Sequence, residues 1–411
     1  MNKTAANLQQ LLVYRNILHD DLIHSLLTPK TVSDNYKLAY EYLNRAELLG
    51  LEGDVLSSYF IYLISRDDNI FSRTAENMST AIGSSLLQAV THDITIIKNF
   101  LNDNLNSLLP IDLLTNFTPT SRVYEPDLQD LHTCFLTPAA DWEPQQTVNK
   151  LAQYYARHGY GKMSNYSFFR WDALEGLVGI KHHDPITLED IVGYERQKQS
   201  LIKNTEAFLA GKPCHNVLLV GARGTGKSSS AKAIANKYYA SGLRLVEVPK
   251  HCLTEIPRLL QSLRKIGKKF ILFLDDLSFE ETELEYKYLK STLEGGVELK
   301  PDNVLIYATS NRRHLVRETW SDRTDNSDDI HRFDTVHEKL SLADRFGMTL
   351  TFLTPSQEEY FTIVEEVAKK KKLPFDHAKL RVEALQWEML HSGRSGRTAQ
   401  QFIAHLLGLC Q

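Results

Sequence analysis

Val217-Leu218-Leu219-Val220-Gly221-Ala222-Arg223-Gly224-Thr225-Gly226-Lys227-Ser228 reads as a buried strand, a glycine-rich loop and the opening of a helix. The loop has the spacing GxxxxGK[ST], and the chemistry explains that spacing. Glycines let successive backbone N–H groups turn inward around the α- and β-phosphates of a nucleotide, the lysine reaches the β- and γ-phosphates, and the serine hydroxyl can hold Mg2+. The following stretch, Ser228 to Tyr239, is expected to be a helix whose positive dipole end points at the same anion. The candidate phosphate contacts are therefore Gly221, Ala222, Arg223, Gly224, Thr225, Gly226, Lys227, Ser228 and Ser229, with Ser228 also a metal ligand.

At 411 residues the chain exceeds the usual size of one hydrophobic core, so two or three domains are expected. The formal charge of −4 gives no support to a nucleic-acid or anionic-membrane partner, although a local patch stays open. Residues 1–183 carry 14 basic and 20 acidic side chains, so the amino-terminal part is acidic and the remainder slightly basic. Cys134, Cys214, Cys252 and Cys410 show neither CxxC pairing nor histidines at ligand spacing, which points to reduced thiols rather than a zinc site or a disulfide framework. No apolar run approaches the ~20 residues needed to cross a bilayer, and no basic segment with a long apolar core opens the chain. A cytoplasmic location without membrane association is the default expectation.

Residues 7 to about 104 carry apolar positions at three-and-four spacing, as in Ile82, Leu86, Leu87, Val90, Ile94 and Ile97, which predicts helices. Prolines at 110, 119, 126, 138 and 144 interrupt the pattern and suggest an irregular connector from Leu105 to Gln146, followed by a helix over Thr147 to Arg157. Tyr166 to Ile180 could form a short hairpin, with Phe168, Phe169 and Trp171 as core residues. From Asp184 strands and helices alternate, which favours a parallel sheet covered by helices. Five strands are expected, at 216–220, 244–248, 270–274, 304–309 and 349–352. The last 55 or so residues, after Pro355, return to helical spacing.

The second strand-borne feature is Phe270-Ile271-Leu272-Phe273-Leu274-Asp275-Asp276, an apolar strand delivering two carboxylates to its carboxyl end. Beside a phosphate loop, the first acid serves the Mg2+ ion and the second orients or deprotonates an attacking water. Asp275 is thus the metal candidate and Asp276 the catalytic one, with Glu280 or Glu281 as substitutes if the short Asp276 side chain positions water poorly. The next strand runs from Val304 into Thr309-Ser310-Asn311, putting polar side chains at the sheet's carboxyl edge, where ligands of open α/β sheets sit. Asn311 can feel the γ-phosphate.

Phosphate loop, Asp-Asp strand and Asn-tipped strand, in this order, resemble Walker A, Walker B and sensor 1 of the AAA+ ATPases. Leu342-Ala343-Asp344-Arg345-Phe346-Gly347 is similar to the family's arginine-finger segment, which makes Arg345 the candidate to complete a neighbouring subunit's site. Where tested, such a residue is worth ~10³–10⁵ in rate. Gly393-Arg394-Ser395-Gly396-Arg397 resembles sensor 2, with Arg397 the first choice and Arg394 the second. Leu188 to Glu195 resembles the segment whose backbone and apolar side chains contact the adenine, so Ile191, Val192 and Gly193 are candidate base contacts. More closely, Asn204-Thr205-Glu206-Ala207-Phe208-Leu209, Asp275-Asp276-Leu277-Ser278-Phe279-Glu280 and Ala308 through Leu315 are similar to an uncharacterised bacterial group of AAA+ ATPases with a helical amino-terminal region.

The resemblance implies an α/β P-loop NTPase: a mainly helical domain at 1–183, an AAA+ core with a five-stranded parallel sheet at 184–354, and a small helical lid at 355–411. It implies ATP and Mg2+, association into a homo-oligomer through the AAA+ core, and hydrolysis of ATP to ADP and phosphate coupled to conformational work on a macromolecular client. A slow ATP-dependent switch or loader-like binding module uses the same site. A small-molecule kinase explains neither the Asn-tipped strand nor the late arginines, and no [NT]KxD guanine-reading motif supports a GTPase. No pore-loop aromatic motif stands where threading unfoldases carry one. Arg312, Arg313, His314 and Arg317, and Lys369 to Lys372, read as solvated faces, and the polar stretch Glu318 to Glu338 as a long functional or mobile loop.

Overall fold

A computed structural model describes residues 7–28, 31–77, 81–102, 109, 111–120, 126–279, 285–294, 300–311, 342–391 and 393–409. Glu280 and Glu281, the basic cluster Arg312 to Arg317, the polar stretch Glu318 to Glu338 and Cys410 lie outside the described residues. The chain divides into two compact units, Met1–Asn165 with Ile266–Lys268, and Tyr166–Lys265 with Lys269–Gln411.

The first unit is helical: α1 (Asp21–Leu27), α2 (Val32–Leu49), α3 (Val55–Arg66), α4 (Ile70–Glu76), α5 (Ser84–Asn102), α6 (Pro126–Leu136), α7 (Pro144–His158) and α8 (Lys162–Asn165). Its core gathers the apolar stripes of these helices, including Tyr42, Phe60, Phe71, Ile94, Phe135 and Tyr155. Helix starts are capped by side chains: Asp20 accepts from the N–H groups of Leu22 and Ile23, Asp54 from that of Ser57, and Thr31 and Asp34 form a capping box. The stretch 105–146, expected to be irregular, contains α6, and α7 starts at Pro144. Two of the prolines that break the apolar pattern stand at the first position of a helix, where a missing N–H costs nothing. Buried polar groups tie the unit together. Asp93, fully buried, accepts from the N–H groups of Leu12, Val13 and Tyr14 at 2.7–3.0 Å. Lys268, 2 % exposed, donates to the carbonyls of Ala156 and Arg157 at the end of α7.

The second unit is built on one sheet, β1 (Phe168–Asp172), β2 (Gly176–Gly179), β3 (Val217–Gly221), β4 (Leu243–Glu247), β5 (Lys269–Leu274), β6 (Val304–Ser310) and β7 (Met348–Phe352). Its order is β2-β1-β4-β5-β6-β3-β7, and every pairing is parallel except β1 with β2. The sheet therefore has seven strands where five were expected. The five apolar runs form the parallel core, and the hairpin of β1 and β2 adds to it by pairing β1 with β4, Phe168 opposite Leu245. Phe168, Phe169 and Trp171 are each at most 3 % exposed, and burying such side chains, worth ~1.5–3 kcal/mol apiece, drives the docking.

Helices α9 (Glu195–Leu209), α10 (Lys227–Lys237), α11 (Ile256–Arg264) and α12 (Glu285–Glu294) connect the strands. Ala231, Ile234 and Ala235 of α10 share a core with Val217 and Leu219 of β3 and Tyr307 of β6. After β7 come α13 (Gln357–Lys370), α14 (His377–Leu390) and α15 (Gly396–Leu409), with a core of their own around Tyr360, Val364, Leu380 and Phe402. The strand order puts β5, β6 and β3 side by side, so the loops leaving their carboxyl ends meet. At the end of β3 only glycine fits: a Cβ on Gly221, at φ +144°, would lie 1.9 Å from the Phe352 carbonyl oxygen of β7. Lys369 to Lys372 are exposed, as expected, and Lys370 pairs with Asp190 at 3.0 Å. No helix among the described residues is long and apolar enough to cross a membrane.

Candidate nucleotide site

A cavity of about 610 Å³ opens above the carboxyl edge of the sheet, bounded by the loop after β3, the tips of β5 and β6, the segment 186–194 and helices α13 and α15. Its size suits a small organic ligand. One end is polar and the other apolar.

At the polar end Lys227, 6 % exposed, donates to the carbonyls of Gly221 and Ala222 at 2.9 and 2.7 Å and to Asn311 Oδ1 at 3.0 Å. Asn311 Nδ2 donates in turn to Asp276 Oδ1. The single amide thus bridges the lysine of the loop and the second acid of β5. Burial pushes the Lys227 amine below its ordinary pKa against the pull of Asp276 and Asp275, and the cations Arg397 and Arg223 add to the depression. Such an amine gains strongly from an incoming polyanion. Ser228 Oγ, on the first turn of α10, donates to Asp275 Oδ1 at 2.6 Å. Hydroxyl and carboxylate oxygens at this separation, with phosphate oxygens and water, match what Mg2+ takes. The residues therefore fit the ion.

The apolar part of the lining is Ile186, Ile191, Val192 and Tyr194 with Ile363 and Val367 of α13, Val192 packing against the cluster those two belong to, and Gln400 of α15 also lines the cavity. Asp190 caps the turn that presents this segment. Hydrogen bonds from the Thr187 N–H and hydroxyl, then from Lys370, hold its carboxyl at about 2.

The candidate residues fall into clear groups. Ile191, Val192, Arg223, Gly224, Thr225, Gly226, Lys227, Ser228, Ser229, Asp275, Asp276, Asn311 and Arg397 line the cavity. Gly221 and Ala222 contribute carbonyls to Lys227 instead, and Gly193 lies in the turn before α9 with φ +79°. Arg345 is exposed, on the turn before β7, away from the cavity lining. Of the two arginines at the start of α15, Arg397 lines the cavity, whereas Arg394 is held by Glu388 at 2.9 Å. Residues not singled out from the sequence are Ile186, Asp190, Tyr194, Ile363, Val367, Gly396 and Gln400. Asp190, Tyr194 and Gly396 lie within segments quoted above for their resemblance, while Ile186, Ile363, Val367 and Gln400 show only ordinary helical or loop patterning.

Residues 164–410 match the family described as Protein of unknown function (DUF815), which is more than half of the chain. The chain belongs to this DUF815 family. It is also 33 % identical over 221 residues to a cell division cycle ATPase of Plasmodium falciparum, covering 48 % of this chain and 16 % of that protein. To proteasome-activating nucleotidase 1 of Haloferax volcanii it is 28 % identical over 120 residues, 26 % of this chain and 30 % of that one. The chain thus spans less than a third of the length of either relative. The RuvB Holliday junction branch migration motor of Thermotoga maritima superposes with a TM-score of 0.38 at 16 % identity, over 55 % of this chain and 65 % of that one, too loosely to support an argument about function. With these relatives and this arrangement of loop, acids and Asn-tipped strand, the DUF815 chain is a member of the AAA+ ATPases, which are ATP-binding ATPases at the level of the family.

Proposed function

We propose that the chain binds ATP with Mg2+ in this cavity, hydrolyses it to ADP and phosphate, and couples the reaction to conformational work on a macromolecular client. The observation that carries this reading is the continuous hydrogen-bond path Lys227–Asn311–Asp276, alongside Ser228–Asp275, beneath a cavity with an apolar far end.

In this reading the phosphates lie along the loop from Gly221 to Ser229 at the start of α10, Lys227 leaves its loop carbonyls for the β- and γ-phosphates, and the base enters between Ile191, Val192 and α13. Ser228 and Asp275 would hold Mg2+, which when bound would neutralise phosphate charge. Asp276 accepts a proton from water as that water adds to the γ-phosphorus and the bond to the bridging oxygen breaks. Asn311 fixes the Asp276 carboxylate and reaches the γ-phosphate, and Arg397 adds positive charge from α15. Arg345, exposed and outside the lining, would act on the site of a second subunit, which makes the working form a homo-oligomer joined through the AAA+ core.

Residues 184–354 are then the nucleotide-binding core, 355–411 the lid, and the expected 1–183 domain shortens to the helices before Tyr166 as the part open to a client, because the hairpin of β1 and β2 belongs to the unit that carries the sheet. A cytoplasmic setting suits this reading. A slow ATP-dependent switch shares the site, and the short Asp276, in a place where glutamate is common, favours it; turnover separates the two. Binding of a fluorescent ATP analogue tests the site itself. Lys227→Ala should abolish tight binding, and micromolar affinity retained in that variant would contradict the assignment.

A further inference from the structure

Thr309 is the last but one residue of β6, 2 % exposed, and sits opposite Leu219 of the strand that leads into the phosphate loop. In register with Leu305 and Tyr307 it points to the face covered by α10, but one step beyond the pairing of Leu274 with Ala308, where β5 gives way to its acids. Its hydroxyl is used in both directions. Oγ1 donates to Asp275 Oδ1 at 2.6 Å and accepts from the Asp276 N–H at 2.8 Å. The Thr309 carbonyl accepts a third bond, from the Leu277 N–H at 2.7 Å. One residue of β6 therefore holds three consecutive residues after β5.

The middle of those three is unusual. Asp276 has φ +51°, the left-handed region that costs an L-residue energy and that aspartate tolerates better than most. That kink places the Asp276 carboxylate on Asn311, and the bond from the Asp276 N–H to the Thr309 hydroxyl is what fixes it. Ser228 and Thr309 converge on the same oxygen of Asp275. A threonine hydroxyl has one proton to give and lone pairs to accept with, so both bonds exist at once.

We propose that Thr309 is a positioning residue that orients both acids together: it sets Asp275 for the metal through its proton and Asp276 for water through its lone pair. This rests on the ATPase reading of the site. It differs from the role of Asn311, whose amide links Lys227 to Asp276: Thr309 also lies at the cavity wall, but its hydroxyl is bonded to the two acids and acts through them.

Thr309→Val keeps shape and methyl packing and removes the hydroxyl, while Thr309→Ser keeps the hydroxyl. The experiment measures kcat, KM for ATP and the Mg2+ concentration giving half-maximal rate for the full-length chain, together with the Mg2+ dependence of binding of a fluorescent ATP analogue, which needs no turnover. Misplacing a catalytic group by about 1 Å costs on the order of 100-fold. The valine variant should accordingly lose between roughly 10- and 100-fold in kcat, need several-fold more Mg2+ in both assays, and bind the analogue without Mg2+ as wild type does; serine should restore both quantities. Wild-type kcat and Mg2+ response in the valine variant would overturn the proposal, as would a serine variant that behaves like valine. If wild type binds the analogue but does not turn over, the Mg2+ dependence of binding still decides: a shift in the valine variant supports the role, and none refutes it. Failure of wild type to bind at all would overturn the ATPase reading, and the proposal with it.

Discussion

Gly224→Ala should weaken ATP binding as well as the fold. Gly224 has φ +75°, and a Cβ there would lie 2.7 Å from Ser395 Oγ and 3.1 Å from Arg397 Cβ. The left-handed backbone costs alanine ~1–2 kcal/mol. Ser395 cannot step aside freely, because its Oγ accepts from the Thr398 N–H at 3.1 Å and so caps α15, and losing a cap costs ~1 kcal/mol. The Arg397 N–H also donates to the Gly224 carbonyl at 3.3 Å. Without nucleotide, the strain is relieved by lifting the start of α15 off the loop. With nucleotide, Arg397 must come back, so the clash returns and the ~1 kcal/mol of the displaced cap appears as affinity, about fivefold in Kd, while the backbone cost is present in both states and appears only as lost stability. Titration of a fluorescent ATP analogue, with thermal unfolding alongside, measures both quantities. Ser395→Gly in the same chain opens the space and should recover part of the loss, a coupling readable in a double-mutant cycle. An unchanged Kd in Gly224→Ala, or a double variant no better than the sum of its parts, would refute the contact between loop and helix as the cause.

Two further outcomes are expected. Arg345→Ala should leave nucleotide affinity within about twofold and lower turnover by ~10³–10⁵, since the side chain acts on another subunit's site; a loss of binding of similar size would place it in its own subunit's site instead. Burial lowers the His132 imidazole on α6 to about 4 from an ordinary 6.5, so between these values the unfolded chain binds the extra proton and stability falls as pH drops. The thermal midpoint of His132→Gln should therefore change less between pH 7 and pH 5 than that of wild type, and parallel pH profiles would contradict this. Asp67, raised to about 6 by burial, works in the opposite sense in both proteins, which is why the comparison is between variant and wild type.

Of the five parallel runs, β3, β4, β5 and β6 are legible in the sequence because they are buried almost throughout and read as nearly continuous hydrophobic stretches, whereas β7 is legible only by the alternation Met348-Thr349-Leu350-Thr351-Phe352, with Phe352 its one buried residue. Strand order is not, since no local pattern says that β6 lies between β5 and β3. The hairpin of β1 and β2 could be read as a hairpin within Tyr166 to Ile180 but not as an extension of the sheet, because its partner β4 begins more than sixty residues later. Lys227, Asp275 and Asn311 were legible since each ends a strand or opens a helix at a characteristic spacing. Ile363, Val367 and Gln400 were not, because a helix that lines a cavity shows the same three-and-four pattern as one that fills a core. Thr309 could be placed at the sheet edge, but its paired bonds depend on the left-handed turn at Asp276, which aspartate permits without announcing.

ATP hydrolysis as specific activity over a range of protein concentrations, with Lys227→Ala and Asp276→Asn beside wild type, decides whether this site is a shared ATPase centre. Specific activity should rise with concentration, as a site completed by a second subunit requires, and both variants should abolish it. A specific activity independent of concentration, or one that survives Asp276→Asn, would contradict this.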